Sequence, residues 1–552
     1  MIAPDHSNTM HTGLCFLSVS LCVTGSSWLA LTMEVLMYKS IVATCAIVFL
    51  LWAWRFLNRA WLTPKRIENH LRQQGFRGNP YRLMVGDMRE SSTLLKETMS
   101  KPINISDDIV RRLLPHVVKT IDTYGKKSFT WLGRMPRVHI MEPNIMKEIL
   151  ANYESFPKNH HVNNKLTKLL LSGTGSLEGH EWAKHRKLMN PSFHQEKLKN
   201  MMPAFYACYD EDLTKWEESC KNGSIEIDVY QTFSRLTGQV ISRVGFGPIS
   251  GGERIYELMK DQIELTVELM RTLYIPIWSD VLPTKRNQKI RAIDKEVRDR
   301  FRTIINSRLM AVEEGKPWGD DLLGTLLESN FKEIERQGNK KNAGLCLDEI
   351  ISECKLLYFA GQDSAASLLA WTCVLLCRHQ DWQEQAREEV LQLFGKEKLD
   401  FNRVQNLKIV TMILNEVLRL YPPVIEVTRV THEDAKFGDL TIPAGVQLMI
   451  PTILLHRDQE MWGKDAEEFN PGRFAEGISN ATKNPFFYLP FAMGPRICPG
   501  QNLALLQAKM ALAMILQRFS FQLSPSYAHG PFTMLSLQPQ YGAQVVFHKL
   551  NH

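Results

Sequence analysis

A ten-residue stretch near the end of the chain, FAMGPRICPG, combines residues whose types and spacing could hold a metal cofactor. Cys498 follows Arg496 by two residues and lies just before Gly500, after which a helix-like run begins. N–H groups at a helix N-terminus favour a thiolate, the form of cysteine that binds metals. Gly494 and Gly500 would let the backbone approach a flat group, and Arg496 could bind a carboxylate. Because a lone cysteine is more often a small buried apolar residue, the interpretation depends on these neighbours.

A thiolate, a flat partner and a carboxylate clamp together indicate haem iron bound by Cys498, with Arg496 on a haem propionate. Five fixed residues at this spacing, beginning with Phe491, would occur by chance in about one chain of this length in several thousand. The spacing F-x-x-G-x-R-x-C-x-G resembles that of the cytochrome P450 family, the haem-thiolate monooxygenases. The resemblance implies the P450 fold, as one large catalytic domain behind an N-terminal membrane anchor.

Glu416 and Arg419 are three residues apart in a helical stretch. By itself this spacing more often gives a surface contact of about a few tenths of a kcal/mol. It also resembles the family's E-x-x-R, which implies a buried charge network with Arg473 behind the haem-binding loop. Gly472 stands where the family frequently has an acidic residue, so an extra salt link is not expected there.

The small residues Ala360 and Gly361, followed by Gln362, Asp363 and Ser364, interrupt a long and otherwise bulky apolar stretch. One interpretation is close helix packing through small residues. The other is a groove in which O2 lies between helix and iron, with Asp363 and Ser364 supplying protons. The segment resembles the family's A-G-x-D/E-T with serine in place of threonine, and the freer serine rotamer puts tight coupling of O2 use to product in question.

Three further residues match weaker patterns of the family. Trp182 and Arg186 resemble its W-x-x-x-R pair, which faces the haem propionates, and Arg429 falls where many members have another propionate contact. Each is more often a packed tryptophan or a surface arginine. Three lysines near the same region could receive an acidic flavin domain, or could simply form a solvated basic face; they are Lys184, Lys187 and Lys197.

The elements that must position these residues are mainly helical. A stretch without proline, residues 347–380, predicts a helix about 50 Å long that crosses the core. A second helix, residues 407–421, should stop at Pro422-Pro423, and a third covers residues 501–519. Between them, EVTRV, DLTIPAG and VQLMIPTIL predict short strands, and residues 456–497 are rich in loops. The fold class is therefore mainly α with a minor β-sheet part.

The front of the chain predicts a membrane anchor over residues 33–56, since the stretch 35–54 reaches the length of about 20 residues that a bilayer core needs. The positive residues that follow favour a cytosolic catalytic body. Residues 1–32 are interpreted as an upstream extension or an extra apolar segment, and a cleaved signal or a second span stays open. Residues 57–104 are assigned to a linker and the start of the body, and 105–552 to the monooxygenase domain.

Composition excludes other classes. The formal charge of +7 is spread over 552 residues without the dense basic blocks of a nucleic-acid binder, so no nucleic-acid partner is expected. Ten cysteines without a CxxC pair do not resemble a disulfide framework. Cys373 and Cys377 lack further zinc ligands nearby and are interpreted as core residues.

The family resemblance implies haem b as cofactor, O2 as co-substrate and electrons from NADPH through a separate cytochrome P450 reductase at the endoplasmic reticulum membrane. Stretches such as LRQQGFRGNPYR and LRLYPPVI further resemble the plant group of secologanin synthase and related terpenoid oxidases. We therefore expect hydroxylation of an iridoid glucoside, a triterpenoid or a gibberellin. Oxidative C–C ring cleavage of an iridoid glucoside, an O2-independent haem-thiolate isomerase or dehydratase, and a non-catalytic haem-binding protein are the alternatives.

Overall fold

The computed structural model describes residues 36–158, 169–170, 172–220, 223–247, 252–270, 284–338 and 343–550. Helices dominate these residues. In chain order they are α1 (Leu36–Gln73), α2 (Met88–Met99), α3 (Ile109–Leu113), α4 (Pro115–Tyr124), α5 (Pro143–Ala151), α6 (Gly179–Met189), α7 (Gln195–Ser219), α8 (Val229–Phe246), α9 (Gly252–Met270), α10 (Lys285–Glu313), α11 (Leu322–Arg336), α12 (Leu347–Arg378), α13 (Gln380–Phe394), α14 (Phe401–Gln405), α15 (Lys408–Leu420), α16 (Thr452–Leu455), α17 (Gln459–Trp462) and α18 (Gln501–Arg518).

The strands are short and belong to small sheets. They are β1 (Phe129–Leu132), β2 (Met135–His139), β3 (Ser224–Asp228), β4 (Val427–Val430), β5 (Ala435–Phe437), β6 (Leu440–Ile442), β7 (Gln447–Ile450), β8 (Phe519–Leu523), β9 (Pro531–Thr533), β10 (Leu537–Pro539) and β11 (Gln544–Lys549). The predicted class, mainly α with a minor β part, is confirmed.

Helix α12 is the central element of the body. It begins with a capping box in which the backbone N–H of Cys346 donates to the Glu349 carboxylate at 2.7 Å. From Ala365 to Cys377 every residue is buried, because α8, α10, α13, α15, α18 and β8 all pack around it. It ends at Arg378, and α13 starts two residues later, so the predicted helix over 347–380 is two residues too long.

The other predicted elements lie close to their expected places. Helix α15 stops before Pro422-Pro423, and α18 follows the cysteine loop. The predicted strand run VQLMIPTIL is wrong in its second half, since β7 ends at Ile450 and residues Thr452–Leu455 form α16. Pro451 has no N–H for a ladder hydrogen bond, which explains why the strand cannot continue through it.

The largest sheet has the order β1-β2-β7-β4, with β2 and β7 parallel and the other pairs antiparallel. The antiparallel pairing of β4 with β7 places Arg429 opposite Leu448. A second sheet, β3-β11-β8, and the hairpin of β9 and β10 lie against α12. The hairpin brings Gln538 to that helix.

Helix α1 is long and apolar enough to cross a membrane, and it runs without interruption from Leu36 to Gln73. None of the residues in its most apolar window is buried by protein. A π-helical turn over Asn58–Leu62 lies between its apolar half and its polar half. The predicted upstream extension or extra apolar segment at residues 1–32, like all of residues 1–35, lies outside the described residues.

Candidate functional site

Cys498 lies in a loop that is held against helix α5. Its backbone N–H donates to the carbonyl oxygen of Phe491 at 3.0 Å, and a 3₁₀ turn over Gly494–Arg496 leads into it. Gly494 has a φ of 76°, in the left-handed region that favours glycine, and a Cβ there would overlap the backbone of Leu150 in α5. The missing side chain of Gly494 therefore lets the loop turn tightly beside α5, rather than clearing space for a flat group as the sequence analysis expected.

The thiol of Cys498 is accessible although protein surrounds it. Burial raises the pKa of the Cys498 thiol, while the Gly500 N–H and the charges of Arg186 and Lys158 lower it. Cys498 is nevertheless exposed to solvent. A group that is both enclosed and accessible faces an internal space. The helix terminus favours the thiolate as expected, but burial outweighs it.

Four basic side chains and the Glu178 carboxylate form a cluster whose members Arg186 and Lys158 lie close to this thiol. Burial and the charges of Arg496 and Arg429 lower the pKa of Lys158 to about 8, and Glu178 opposes them. Burial and Arg496 similarly lower the pKa of Arg429 to about 10. Burial also lowers the pKa of Arg186, which the charge of Cys498 partly restores. An excess of enclosed positive charge of this kind fits anionic groups such as two carboxylates.

Arg496 connects this cluster to helix α6. Its guanidinium lies 4.2 Å from the ring centroid of Trp182 and 5.7 Å from that of Tyr153. It donates to the carbonyl oxygen of Leu177 at 2.9 Å and forms an ion pair with Glu178. The structure thus brings together the tryptophan of W-x-x-x-R and the arginine of the cysteine loop, which are more than 300 positions apart in the chain.

Glu416, Arg419 and Arg473 form one buried network. Arg419 donates to both carboxylate oxygens of Glu416 at 2.7 Å, and Arg473 donates to Glu416 at 3.1 Å. Arg419 also donates to the carbonyl oxygens of His456 and Glu468 at 2.8 and 2.9 Å. Glu416 and Arg419 have no exposed side-chain surface.

The extra salt link that Gly472 was expected to remove comes from another residue. Asp465 accepts from Arg473 at 2.9 Å, so Arg473 pairs with two carboxylates. A Cβ at Gly472 would lie 3.1 Å from the Asn470 side chain. Gly472 itself makes no salt link, as its residue type dictates, and Arg473 has its second carboxylate from Asp465.

Helix α12 becomes accessible on one side just where its small residues occur. Leu356, Leu357, Ala360 and Ser364 share this side by helical spacing and are exposed or half-buried, whereas the helix beyond Ala365 is buried. The Ser364 hydroxyl donates to the carbonyl oxygen of Ala360 at 2.7 Å.

Gly361 packs against the neighbouring helix α8. A Cβ at Gly361 would lie 2.7 Å from Cδ1 of Ile241. The interpretation of close helix packing through small residues therefore applies to Gly361 itself, while Ala360 and Ser364 border the accessible space.

Asp363 lies at the edge of that side, in a neutral hydrogen-bond cluster. Gln538 donates to its carboxyl group at 3.0 Å and the Tyr230 hydroxyl at 3.4 Å. Burial raises the pKa of Asp363, and hydrogen bonds from Ser536, Tyr230 and Gln538 lower it only in part. Among the described residues, no lysine, arginine or histidine pairs with it. This environment favours the protonated acid.

Cys373 and Cys377 are buried in α12, and burial raises the pKa of each thiol. No group of three or more His, Cys, Asp or Glu residues in the part of the chain that the structure describes could hold a metal ion. The interpretation of Cys373 and Cys377 as core residues is confirmed, since both are buried.

Comparison with known proteins identifies the family. The sequence profile of the Cytochrome P450 family matches residues 111–547, well over half of the chain. The chain belongs to the cytochrome P450 family. As a P450 it is a monooxygenase of the haem-thiolate class, and the enclosed but accessible thiol, the cation cluster and the accessible side of α12 fit a haem.

The most similar relatives of this P450 include plant enzymes. Secologanin synthase 1 from Catharanthus roseus is 56% identical over 514 residues, covering 93% of this chain and 98% of that protein. The 7-deoxyloganic acid hydroxylase of the same plant is 52% identical over 518 residues, covering 93% and 99%. Retinoic acid bound cyanobacterial CYP120A1 is a structural neighbour with a TM-score of 0.67 and 25% identity, covering 78% of this chain and 94% of that one.

Sequence analysis missed several residues of this P450 site. Lys158 and Glu178 belong to the cation cluster, Asp465 to the Glu416 network, and Tyr230 and Gln538 to the Asp363 cluster. None of them stands in a motif, and each reaches the site through packing between distant elements. One signal was available in the sequence. The motifs contain several arginines and no acidic partner for them, which indicates that a carboxylate such as Glu178 lies nearby.

Proposed function

We propose that this protein is an NADPH- and O2-dependent monooxygenase that hydroxylates a terpenoid-derived small molecule. Two observations carry the proposal: the Cys498 thiol is enclosed but accessible, and helix α12 has an accessible side that is apolar and ends at Ser364. The apolar positions Leu356, Leu357 and Ala360 suit a hydrocarbon framework, and Asp363 with Ser364 suit proton supply.

In this proposal Cys498 binds the haem iron as a thiolate. Arg186, Arg429 and Arg496 hold the haem carboxylates, and Lys158 joins them because it shares their enclosed region. Trp182 keeps the Arg496 guanidinium oriented by stacking under it. When bound, haem supplies the O2 activation that amino-acid side chains cannot.

The remaining site residues act through position and proton supply. Ser364 borders the accessible space and can pass a proton, and Asp363 is the acid that replenishes it. Ala360 leaves room beside Ser364 for a small molecule, and Gly361 lets α12 lie close to α8. Glu416, Arg419 and Arg473 keep the segment that precedes the cysteine loop in place through their buried ion pairs.

Electrons reach the site from a separate NADPH–cytochrome P450 reductase. The basic face proposed for it is partly neutralised within the chain, since Lys187 pairs with Glu333 and Lys197 with Asp320, each at 3.1 Å. Exposed ion pairs of this kind contribute about 0–1 kcal/mol, so a reductase carboxylate can replace Glu333 or Asp320 at little cost. Helix α1 anchors the chain in the endoplasmic reticulum membrane with the body in the cytosol, as the following basic residues favour.

The substrate class rests on the relatives, which include a 7-deoxyloganic acid hydroxylase. We propose an iridoid glucoside, a triterpenoid or a gibberellin as substrate. Because two secologanin synthases are 56% identical to this chain, oxidative C–C ring cleavage of an iridoid glucoside is the second candidate.

Expression of the full chain with a plant reductase tests both candidates. Loganin, 7-deoxyloganic acid, triterpene acids and gibberellins are offered with NADPH and followed by mass spectrometry. Hydroxylation adds one oxygen atom to a substrate, whereas ring cleavage gives a ring-opened product without that addition. Failure to oxidise any of them by a preparation that binds haem would overturn the substrate class.

The ligand assignment has its own test. In Cys498→Ala, we expect loss of the thiolate-type Soret band that the reduced carbon monoxide complex of the unaltered protein gives. Cys346→Ser, which removes another exposed thiol but keeps a capping side chain at the start of α12, should leave the band unchanged. A retained band in Cys498→Ala would refute the assignment.

A further inference from the structure

Glu353 is a fully buried carboxylate on helix α12, with no exposed side-chain surface. It precedes Leu357 by four residues and Ala360 by seven, so it lies on the side of α12 that becomes accessible further along. A buried carboxylate is stable only with charged or hydrogen-bonding partners. The partners of Glu353 therefore show what is held at the beginning of the accessible side.

The partners of Glu353 come from a turn and from helix α6. In the 3₁₀ turn Gly173–Gly175, Thr174 donates to the carboxylate from its backbone N–H and from its hydroxyl, each at 2.8 Å. His185 of α6 is buried, and its Nδ1 lies 2.6 Å from the same carboxylate. Because a carboxylate only accepts hydrogen bonds, Nδ1 donates this one. One carboxylate thus joins α12 to two other segments.

Two glycines allow the turn to lie directly on α12. Gly173 has a φ of 66°, in the left-handed region that favours glycine, and a Cβ there would lie 2.8 Å from the carboxyl carbon of Glu353. A Cβ at Gly175 would lie 2.9 Å from Cδ1 of Leu356. The turn therefore contacts both the buried carboxylate and the first residue of the accessible side.

The same turn also reaches the cation cluster. The Lys158 ammonium group donates to the carbonyl oxygen of Gly175 at 3.0 Å, and the Lys158 N–H donates to Glu178 at 2.9 Å. Arg496 donates to the carbonyl oxygen of Leu177 at 2.9 Å and pairs with Glu178. Both cations are thus bound by the turn or within three residues of its end.

Helix α6 gives a second connection to the cluster. His185 follows Trp182 by three residues and stands directly before Arg186. The Trp182 ring packs on the guanidinium of Arg496, 4.2 Å from the ring centroid. A change in the separation of α6 and α12 would therefore move these side chains relative to α12. Through the turn and through α6, one carboxylate fixes the place of the cluster.

We infer that Glu353 is a positioning residue, which acts through Thr174 and His185 to set the distance between the cation cluster and the accessible side of α12. The inference rests on the proposed haem site, in which the cluster holds the haem carboxylates. A substrate on α12 and a haem held by the cluster meet in the reactive geometry only when this distance is kept. A displacement of about 1 Å, caused by a change far from the reacting atoms, can lower a rate by about 10²-fold.

A buried carboxylate elsewhere in the chain provides a matched control. Asp212 on α7 is 2% exposed and forms ion pairs with Arg235 and Lys215. Neither of these partners belongs to the cation cluster. Loss of Asp212 therefore removes a buried carboxylate and lowers stability without a connection to the haem carboxylates.

Resonance Raman spectra of the holoenzyme test the inference, because the bending modes of the haem propionates report hydrogen bonds to those carboxylates. Glu353→Met removes the acceptor and keeps the side-chain length, whereas Glu353→Gln keeps one oxygen for Thr174 and His185. We expect shifted propionate modes in Glu353→Met and modes close to those of the unaltered protein in Glu353→Gln. Asp212→Leu should leave the modes unchanged.

The rate of haem loss, followed by transfer to apomyoglobin, is a second measurement. Removal of a partner that orients ligand residues typically costs about 10–100-fold in affinity, and we expect haem loss from Glu353→Met to accelerate by about this factor. Haem loss from Glu353→Gln and Asp212→Leu should stay close to that of the unaltered protein. Faster haem loss without a shift of the propionate modes would indicate general loosening of the fold and would overturn the inference.

A rescue at His185 separates positioning from packing. Nδ1 of His185 faces Glu353, and Nε2 lies 3.6 Å from Glu349. The amide of asparagine reaches the place of Nδ1 and that of glutamine the place of Nε2, so His185→Asn should keep the propionate modes while His185→Gln shifts them. Packing alone predicts the opposite order, because asparagine leaves the larger cavity. If Glu353→Met does not fold, this pair decides the question, and equal modes in both variants would overturn the inference.

The reduced carbon monoxide complex distinguishes this inference from the haem site itself. If the unaltered protein lacks the thiolate-type Soret band, the proposed haem site fails and the inference with it. If the band is present and Glu353→Met has the propionate modes of the unaltered protein, the inference is overturned while the haem site stands. A shift of equal size in Asp212→Leu would also overturn it.

Discussion

Two buried carboxylates of this P450 have opposite surroundings. Glu416 lies between Arg419 and Arg473, so its charge is compensated by ion pairs on both sides. Asp363 has comparable burial but only neutral donors, from Tyr230, Gln538 and Ser536. The difference separates a carboxylate that holds structure from one that can change its protonation state.

The physical reason is the difference in the free energy of protonating the two carboxylates. Protonating Glu416 would leave two buried guanidinium groups with less compensation, which is costly in a low-dielectric interior. Protonating Asp363 removes a buried charge and leaves its neutral neighbours satisfied, because hydroxyl and amide groups can donate or accept. Burial of a carboxylate by itself therefore does not indicate function, whereas the charge of its partners does.

The largest effect is expected from Glu416→Gln. Loss of the carboxylate leaves Arg419 and Arg473 unpaired in the interior, and we expect a loss of about 3–5 kcal/mol in the free energy of unfolding, together with loss of haem. Denaturant unfolding and the haem-to-protein absorbance ratio measure this. The exposed Glu433→Gln is the control, and a change in Glu416→Gln no larger than in this control would contradict the structural role.

Asp363→Asn should lower activity and leave stability almost unchanged. The amide keeps the shape and can still bond to Gln538 or Tyr230, so we expect little change in unfolding free energy. Product formation should fall by about 10²–10⁴-fold, the usual contribution of a positioned acid. Product and peroxide per NADPH consumed measure this, and unchanged turnover would show that protons reach the site by another route.

The pH dependence of stability sharpens the same contrast. Since burial raises the pKa of Asp363 above 3.8, the folded chain binds a proton that the unfolded chain has released. Stability from this group is therefore present at low pH and is lost as pH rises through the folded pKa. The unfolding free energy of the unaltered protein minus that of Asp363→Asn should decrease with rising pH above 3.8, and an increase would show that the site favours the carboxylate.

A smaller effect is expected at Gly361, where packing and an oxygen groove make different predictions. In Gly361→Ala the new methyl would lie 2.7 Å from Ile241, and overpacking of this kind costs about 1–3 kcal/mol. Ile241→Val removes the contacting Cδ1 and should restore stability and turnover together. Restored stability with turnover still low would mean that Gly361 also leaves room for O2.

The smallest effect is expected at Ser364, because its hydroxyl already bonds to Ala360 within the helix. Ser364→Ala should raise peroxide formation relative to product, and Ser364→Thr, with a stiffer side chain, should lower it. Product-to-peroxide ratios measure both changes. Equal ratios in all three proteins would exclude the hydroxyl as a proton relay.

Sequence reasoning placed the elements well where the signal was local. Proline after Tyr421 predicted the end of α15, and the absence of proline predicted the long helix α12 from residue 347. It did less well where the reason for a residue lay in another element. Gly494 was interpreted as making room for a flat group, but it turns beside Leu150, and the contact between Gly361 and Ile241 could not be read from either helix alone.

The candidate site divides in the same way. The thiol, the arginines and the acid–alcohol pair stand in motifs, so spacing and resemblance predicted them. Lys158, Glu178 and Gln538 reach the site only because strands and loops far apart in sequence are packed together. Asp465 takes the role that Gly472 lacks, and no local pattern marks such a replacement.

Because α1 is one unbroken helix, the rotation of the body about the axis of the apolar span is fixed by the number of residues between them. Each residue of a helix turns the chain by about 100°, so one residue added or removed near Asn58–Leu62 would rotate the body by that angle about the span. A foreign anchor of suitable hydropathy but different register would then leave the enzyme attached while its substrate-facing side pointed elsewhere. Residue number in this joint, as much as apolarity, has to be kept when such proteins are re-engineered.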